Sequence, residues 1–214
     1  VDSSSRILLF GGTFNPIHIG HLVMAQEASE RLQFNEIVFI PSATPPHKED
    51  VLSFAHRLKM TQLSTNSTDC FSVSDIESKR DGPSYTIDTV RHFKEKYEGN
   101  TEIYWLIGTD TIPELKAWYK IKELVKECKF VLAERNPYKF YTKDSKDLFC
   151  FLSEETKSFL DRDWISHFTP LINSILEISS TNIRTRIQNK ESIKFLVTEK
   201  VEQYIYDNQL YSSR

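Results

Sequence analysis

The chain has 214 residues, 39% of them hydrophobic and 27% charged, enough to bury one sizeable core beneath an ordinary charged surface. Its 27 Lys and Arg against 30 Asp and Glu give a formal net charge of −3, which rules out a general nucleic-acid-binding surface but allows a local basic pocket for a small nucleotide. No apolar run approaches the ~18 residues of a membrane span.

Cys70, Cys128 and Cys150 are odd in number and widely spaced, as expected for free thiols of a cytoplasmic protein. The short polar start, Val1-Asp2-Ser3-Ser4-Ser5, does not read as a signal peptide, and the missing initiator Met suggests a trimmed or engineered terminus.

The first element is an apolar run, Ile7-Leu8-Leu9-Phe10, expected as a buried strand. It passes through Gly11-Gly12-Thr13-Phe14-Asn15-Pro16-Ile17-His18-Ile19-Gly20-His21 into Leu22–Ala28, expected as a helix. A strand that turns through glycines into a helix presents backbone N–H groups at a helix start, where anions bind, and Gly11 and Gly12 allow close approach of a ligand. His18 and His21, three apart, share a face of a first helical turn. Read by themselves they serve equally as capping or core histidines, and no Cys or acidic cluster completes a zinc set around them.

Further along, Glu36–Pro41 is expected as a second strand, Phe54–Leu63 as a helix, Phe71–Ser74 as a short strand and Tyr85–Tyr97 as a helix. Glu102–Ile107, closed by Gly108, and Lys129–Ala133 are expected as buried strands. Strands separated by helices imply βαβ units, so the fold class is α/β: a Rossmann-like parallel sheet with helices on both faces. The whole chain, 1–214, reads as one domain, with 136–173 as an insertion and 179–214 as a C-terminal helical subdomain. Within the insertion Ser153–Leu160 suits a helix; Leu171–Ile178 resumes a strand, Ser179–Ile187 a helix, and Ile193–Tyr206 the terminal helix.

Five more segments carry chemistry. Ile178-Ser179-Ser180-Thr181-Asn182-Ile183-Arg184 ends a strand, caps a helix with hydroxyls and adds a planar cation one turn in: an anion site, or an ordinary capped surface helix. Pro41–Lys48 is a proline-stiffened loop after the second strand, where Lys48 could meet a phosphate. Gly82–Thr86 precedes a helix that Ser84 and Thr86 can cap. Gly108-Thr109-Asp110 ends a strand with a carboxylate able to accept from ribose hydroxyls, and Trp118-Tyr119 offers an aromatic platform or a core residue.

The block GGTFNPIHIGH resembles the signature of nucleotidyltransferases that share the H-x-G-H element, and most of all the bacterial nicotinate-nucleotide adenylyltransferases. The segments ISSTNIR, PSATPPHK, GPSYT, Gly108–Asp110 and Trp118-Tyr119 resemble further elements of that family and occur in its order, over about residues 6–135 and 175–211. The resemblance implies transfer of the adenylyl group of ATP to nicotinate mononucleotide. His18, His21 and Arg184 would be catalytic; Gly11, Gly12, Thr13, Phe14, Asn15, Gly108, Asp110, Ser180, Thr181 and Ile183 would bind ATP. Lys48, Ser84, Tyr85, Thr86, Trp118, Tyr119 and Arg135 would bind the pyridine nucleotide, although Asn136 departs from the family's usual Arg-Pro pairing after Arg135.

Mg²⁺ would ride on ATP, since no carboxylate cage is evident and no residue is expected as a metal ligand. The expected partners are the two nucleotides, without nucleic acid or membrane; a homo-oligomer is compatible with the sequence. Three alternatives stand beside this reading: the same reaction on nicotinamide mononucleotide, a class I aminoacyl-tRNA synthetase suggested by His18–His21 alone, and a non-catalytic nucleotide-sensing module.

Overall fold

A computed structural model describes residues 5–45, 50–97, 99–135 and 166–212. Six strands, β1 (Arg6–Gly12), β2 (Glu36–Pro41), β3 (Phe71–Val73), β4 (Glu102–Gly108), β5 (Lys129–Ala133) and β6 (Phe168–Leu171), form one sheet in the order β3-β2-β1-β4-β5-β6. Every pairing is parallel, with Leu8 opposite both Ile37 and Tyr104, and Trp105 opposite Phe130. Around it lie α1 (Ile19–Leu32), α2 (Phe54–Thr65), α3 (Thr86–Lys96), α4 (Ile121–Glu127), α5 (Ser180–Gln188) and α6 (Glu199–Asp207), with 3₁₀ segments at Ile76–Lys79 and Thr109–Ala117.

Side chains alternate across a strand, so the continuous apolar runs feed two cores. Ile7, Leu9, Val38, Ile40, Trp105 and Ile107 pack with α3 and α4 on one face; Leu8, Phe10, Ile37, Phe39, Leu106 and Val131 pack with α1, α5 and α6 on the other. The order of the strands reverses between β1 and β4. Loops leaving the carboxyl ends of these neighbours diverge to opposite faces and leave a crevice between them.

Several elements depart from the sequence expectation. The helix α1 begins at Ile19, three residues before the expected Leu22, with His18 as its N-cap. The strand expected over Leu171–Ile178 lies earlier, at Phe168–Leu171, and joins the main sheet beside β5, inside the stretch read as an insertion. The helix expected at Ser153–Leu160 falls outside the described residues. The terminal helix starts at Glu199 because Thr198 caps it in extended conformation and Phe195 just before has φ +67°; Ile193 and Val197 are buried without being helical. Ile183, Ile187, Val201 and Ile205 belong to the same core as Leu8 and Phe39, so the C-terminal helices close the sheet's own core. Among the described residues no helix is long and apolar enough to cross a membrane.

Candidate active site

The crevice holds a cavity of about 760 Å³. Its walls are the end of β1, the start of α1, the end of β5 and the start of α5. Of the residues expected to bind ATP or catalyse, Gly11, Gly12, Thr13, Phe14, Asn15, His18, His21, Ser180, Thr181 and Arg184 all line it, although Arg184 is 169 residues from Asn15 in the chain.

The loop from Thr13 to His18 is held by side chains from distant elements. Arg57 Nη1 donates to Thr13 O (2.8 Å), Arg184 Nη1 to Asn15 O (2.9 Å), Tyr211 Oη to Asn15 Oδ1 (2.9 Å) and Ser180 Oγ to Pro16 O (2.8 Å). Arg184 Nη2 also donates to Thr181 Oγ1 (3.2 Å), so the guanidinium is pinned across the lip between the two helix starts. In α5 the Asn182 amide is capped by Ser179 Oγ (3.1 Å) and the Ile183 amide bonds Ser179 O (3.1 Å). Ile183, expected among the ATP-binding residues, therefore has its amide in the helix ladder and its side chain fully buried in the core. Ser180 and Thr181, the first two helical residues, carry helix-start amides of the kind at which an anion can bind.

The two histidines form a stacked pair, ring centroids 3.7 Å apart and inclined by 28°. His18 is the N-cap and its backbone N–H donates to His21 Nδ1 (3.2 Å), one arm of a capping box with imidazole in place of carboxylate. Phe14 meets the His21 ring edge-on at 5.1 Å. His18 is 4% exposed, and burial, with the Arg135 charge adding to it, brings its pKa down to about 4. It is thus a neutral imidazole at pH 7, and its buried Nδ1 has no hydrogen-bond partner. Gly20 leaves room for this ring, since a Cβ there would lie 3.1 Å from His18 Nδ1.

The glycines of the motif serve packing more than ligand approach. A Cβ on Gly11 would run into the Trp105 indole of the neighbouring strand, and one on Gly12 would sit 2.9 Å from the Phe14 ring. Phe14 itself is 2% exposed and has φ +47°, the strained left-handed region for a bulky residue.

The remaining expected residues form a second group on the other face. Tyr85 stacks on Tyr119 (4.3 Å, 26°), while Tyr85 and Trp118 pack on the core beneath α3 and α4. The N-cap of α3 is Tyr85, not Ser84 or Thr86. Ser84 Oγ instead accepts from the Thr44 amide and Ser84 N–H donates to Thr44 O, both 3.1 Å, tying this group to the loop after β2. Lys48 lies outside the described residues.

Arg135 joins the two groups. It lines the cavity beside His18 and pairs with Asp110 (Nη1 to Oδ2, 3.3 Å). Thr109 Oγ1 fixes its backbone at both ends, accepting from Arg135 N–H (2.8 Å) and donating to Arg135 O (3.0 Å). Gly108 is glycine because a Cβ would collide with Asp110 and Arg135. Asp110 Oδ1 is buried without a hydrogen-bond partner, a carboxylate oxygen suited to an incoming hydroxyl or amine.

Sequence reasoning missed several wall residues. Asn173 ties the cavity floor together, accepting from Glu134 N–H (2.7 Å) and donating to Glu134 O (3.3 Å). Ser174 binds the Glu27 carboxylate through N–H and Oγ (2.6 and 2.7 Å). Both sit just beyond a strand hidden inside a polar stretch. Arg57 and Tyr211 carry no motif; only an Arg and a Tyr within otherwise amphipathic helical or terminal segments marked them.

Residues 9–186 match the cytidylyltransferase-like family. A protein of Caldicellulosiruptor bescii named "Probable nicotinate-nucleotide adenylyltransferase" is 38% identical over 201 residues, 94% of this chain and 95% of that protein. One of the same name from Moorella thermoacetica is 37% identical over 216 residues, covering 100% and 95%. The fold is shared with Plasmodium falciparum nicotinic acid mononucleotide adenylyltransferase complexed with NaAD, at a TM-score of 0.73 and 22% identity over 97% of both chains. With its stacked H-x-G-H histidines meeting the second anion-binding helix start across one cavity, the chain belongs to the cytidylyltransferase-like family, among the nicotinate-nucleotide adenylyltransferases.

Proposed function

We propose that the protein transfers the adenylyl group of ATP to nicotinate mononucleotide, releasing pyrophosphate and forming nicotinate adenine dinucleotide. The observation that carries this reading is the convergence of His18, His21, Ser180, Thr181 and Arg184 on one cavity of about 760 Å³, a size suited to a nucleotide triphosphate. The triphosphate lies between the starts of α1 and α5, where two helix dipoles favour negative charge and the amides of Ser180 and Thr181 are left outside the helix ladder. Asp110 receives a nucleoside hydroxyl or amine on its unpartnered Oδ1.

The mononucleotide 5′-phosphate oxygen attacks the α-phosphorus; a P–O bond forms there as the bond to the β-phosphate bridging oxygen breaks, and pyrophosphate leaves. No covalent enzyme intermediate is needed, and catalysis rests on positioning and charge stabilisation. His18 takes part as a neutral donor: burial keeps the imidazole uncharged, so it contributes a fixed N–H dipole. Arg184 already bridges Asn15 and Thr181, and its remaining N–H groups face the transferring phosphates. Mg²⁺ arriving on the ATP phosphate oxygens would offset their charge.

The acceptor lies across the switch point. The Tyr85–Tyr119 stack and Trp118 position the pyridine ring, with Ser84 and Thr86 toward its carboxylate. Arg135, reaching the cavity from the end of β5, spans both nucleotides. The test is to incubate the protein with ATP, Mg²⁺ and nicotinate mononucleotide and follow pyrophosphate and dinucleotide. Equimolar formation of the two supports the reading; ATP consumed without dinucleotide, or no turnover at all, removes it.

A further inference from the structure

Arg57 is one of the largest fully buried side chains in the protein, at 1% exposure, and no step of the reaction uses it. Among the described residues it makes no ion pair. Its three donor positions go instead to three backbone carbonyls: Nε to Leu52 O (2.8 Å), Nη1 to Thr13 O (2.8 Å) and Nη2 to Ala43 O (3.3 Å). Burial lowers its pKa, as expected for a cation held by neutral partners. Taking a guanidinium out of water costs several kcal/mol, and a well-packed apolar residue is often as stable in such a place. Stability alone does not account for it.

The three carbonyls do. Leu52 precedes the helix that carries Arg57. Thr13 belongs to the loop leaving β1, and Ala43 to the loop leaving the adjacent β2. The first is one wall of the triphosphate cavity; the second runs on toward Lys48 and is tied through Thr44 to Ser84. A planar guanidinium fork fixes both loops relative to one rigid helix.

Fixing a carbonyl also fixes the next amide. Across a trans peptide, C=O and N–H point in opposite directions. Turning Thr13 O inward to Arg57 therefore turns the Phe14 N–H outward, to the cavity side. The same inversion is visible at Ala43, where O accepts from Arg57 and the following Thr44 N–H donates the other way, to Ser84 Oγ at 3.1 Å. Phe14 sits at φ +47°, a conformation that persists only where its surroundings impose it.

We propose that Arg57 is a positioning residue: it aims the Phe14 amide at the triphosphate and holds the ATP loop and the acceptor loop in register for adenylyl transfer. This rests on the reaction proposed above. Arg57→Lys keeps the charge and loses the fork, so it separates geometry from electrostatics. In a variant still cooperatively folded by thermal melting, kcat should fall ~10²-fold, the order expected when reacting groups are misplaced by about 1 Å. Backbone hydrogen exchange at Thr44, whose N–H donates to Ser84 Oγ, should quicken, while exchange in the β4 and β5 amides stays as in the parent.

A folded Arg57→Lys protein with parental kcat and parental exchange at Thr44 would overturn the proposal. So that it does not depend on the variant folding, the uniformly ¹⁵N- and ¹³C-labelled parent protein is examined by NMR. A hydrogen-bond scalar coupling between Arg57 Nη and the Thr13 carbonyl carbon, with slow exchange of that N–H, is expected; its absence also overturns the proposal. If the parent makes no dinucleotide, the reaction assignment fails, while exchange at Thr44 and the coupling still read the Arg57 clamp.

Discussion

Replacing His18 by Gln removes a group whose titration the fold suppresses. With its pKa held at about 4 against 6.5 in the unfolded chain, protonation of His18 disfavours the folded state. The sign follows from linkage: above about pH 6.5 neither state binds the proton and His18 leaves stability unchanged with pH. As pH falls from about 6.5 toward 4 the unfolded chain gains the proton first, and stability is progressively lost. Below about 4 both states are protonated and the loss levels off at about 3 kcal/mol. At pH 5 the loss is already about 2 kcal/mol.

Denaturant unfolding of the parent and His18→Gln at pH 7 and pH 5 reads this as a difference of differences. The parent should lose about 2 kcal/mol more than the variant between the two values. In the parent, NMR should find the His18 ring titrating near pH 4, and kcat/KM should carry no inflection between pH 6 and 7 from this group. A polyphosphate seated beside the ring should raise the value. If both proteins lose stability in parallel, or the ring titrates near 6.5, the neutral-donor role is wrong and His18 meets phosphate as a cation.

Three further outcomes follow from the same geometry. His21→Ala should lower kcat ~10²–10³-fold with modest change in either KM, because one preorganised donor is lost; steady-state rates near the parent's would remove His21 from the chemistry. Arg184→Lys should reduce kcat/KM for ATP although charge is kept, since one ammonium cannot span Asn15 O and Thr181 Oγ1 while facing a phosphate; equal kcat/KM in titrations of ATP argues against that clamp. Gly11→Ala should destabilise by about 1–3 kcal/mol through overpacking against Trp105; an unchanged melting temperature means the indole moves aside freely.

The sheet was legible because a doubly covered parallel strand must be apolar on both faces, and β1, β2, β4 and β5 each appear as an uninterrupted run. The strand β6, FTPL, has only four residues with Thr169 and Pro170 partly or fully exposed, so an edge strand with a half-wet pattern was taken for part of an insertion. Seven-residue α4 was missed for a related reason: its N-cap is Lys120 in left-handed conformation, without the capping hydroxyl that announces a helix. At the site, residues in contiguous motifs were readable because the chain itself brings them together. The single residues Arg57, Asn173 and Tyr211 are not: Arg57 reaches Thr13 across 44 positions, Asn173 reaches Glu134 across 39 and Tyr211 reaches Asn15 across 196, and nothing local encodes such partners. A packing constraint on Gly11 is not legible, because the Trp105 ring that fills the space beside it comes from another strand.

The choice of acceptor decides the matter. On the proposed reading the backbone N–H groups about Thr86 and Tyr119 face the acceptor; a carboxylate would accept from both, whereas an amide would turn its NH₂ against one and leave a donor unpaired. Sites of this kind discriminate by up to ~10⁴–10⁵. The measurement is kcat/KM for nicotinate mononucleotide and for nicotinamide mononucleotide, each with saturating ATP and Mg²⁺, followed by dinucleotide formation. A large preference for the acid is expected. A ratio near one, or one favouring the amide, would contradict the assignment of nicotinate mononucleotide as substrate.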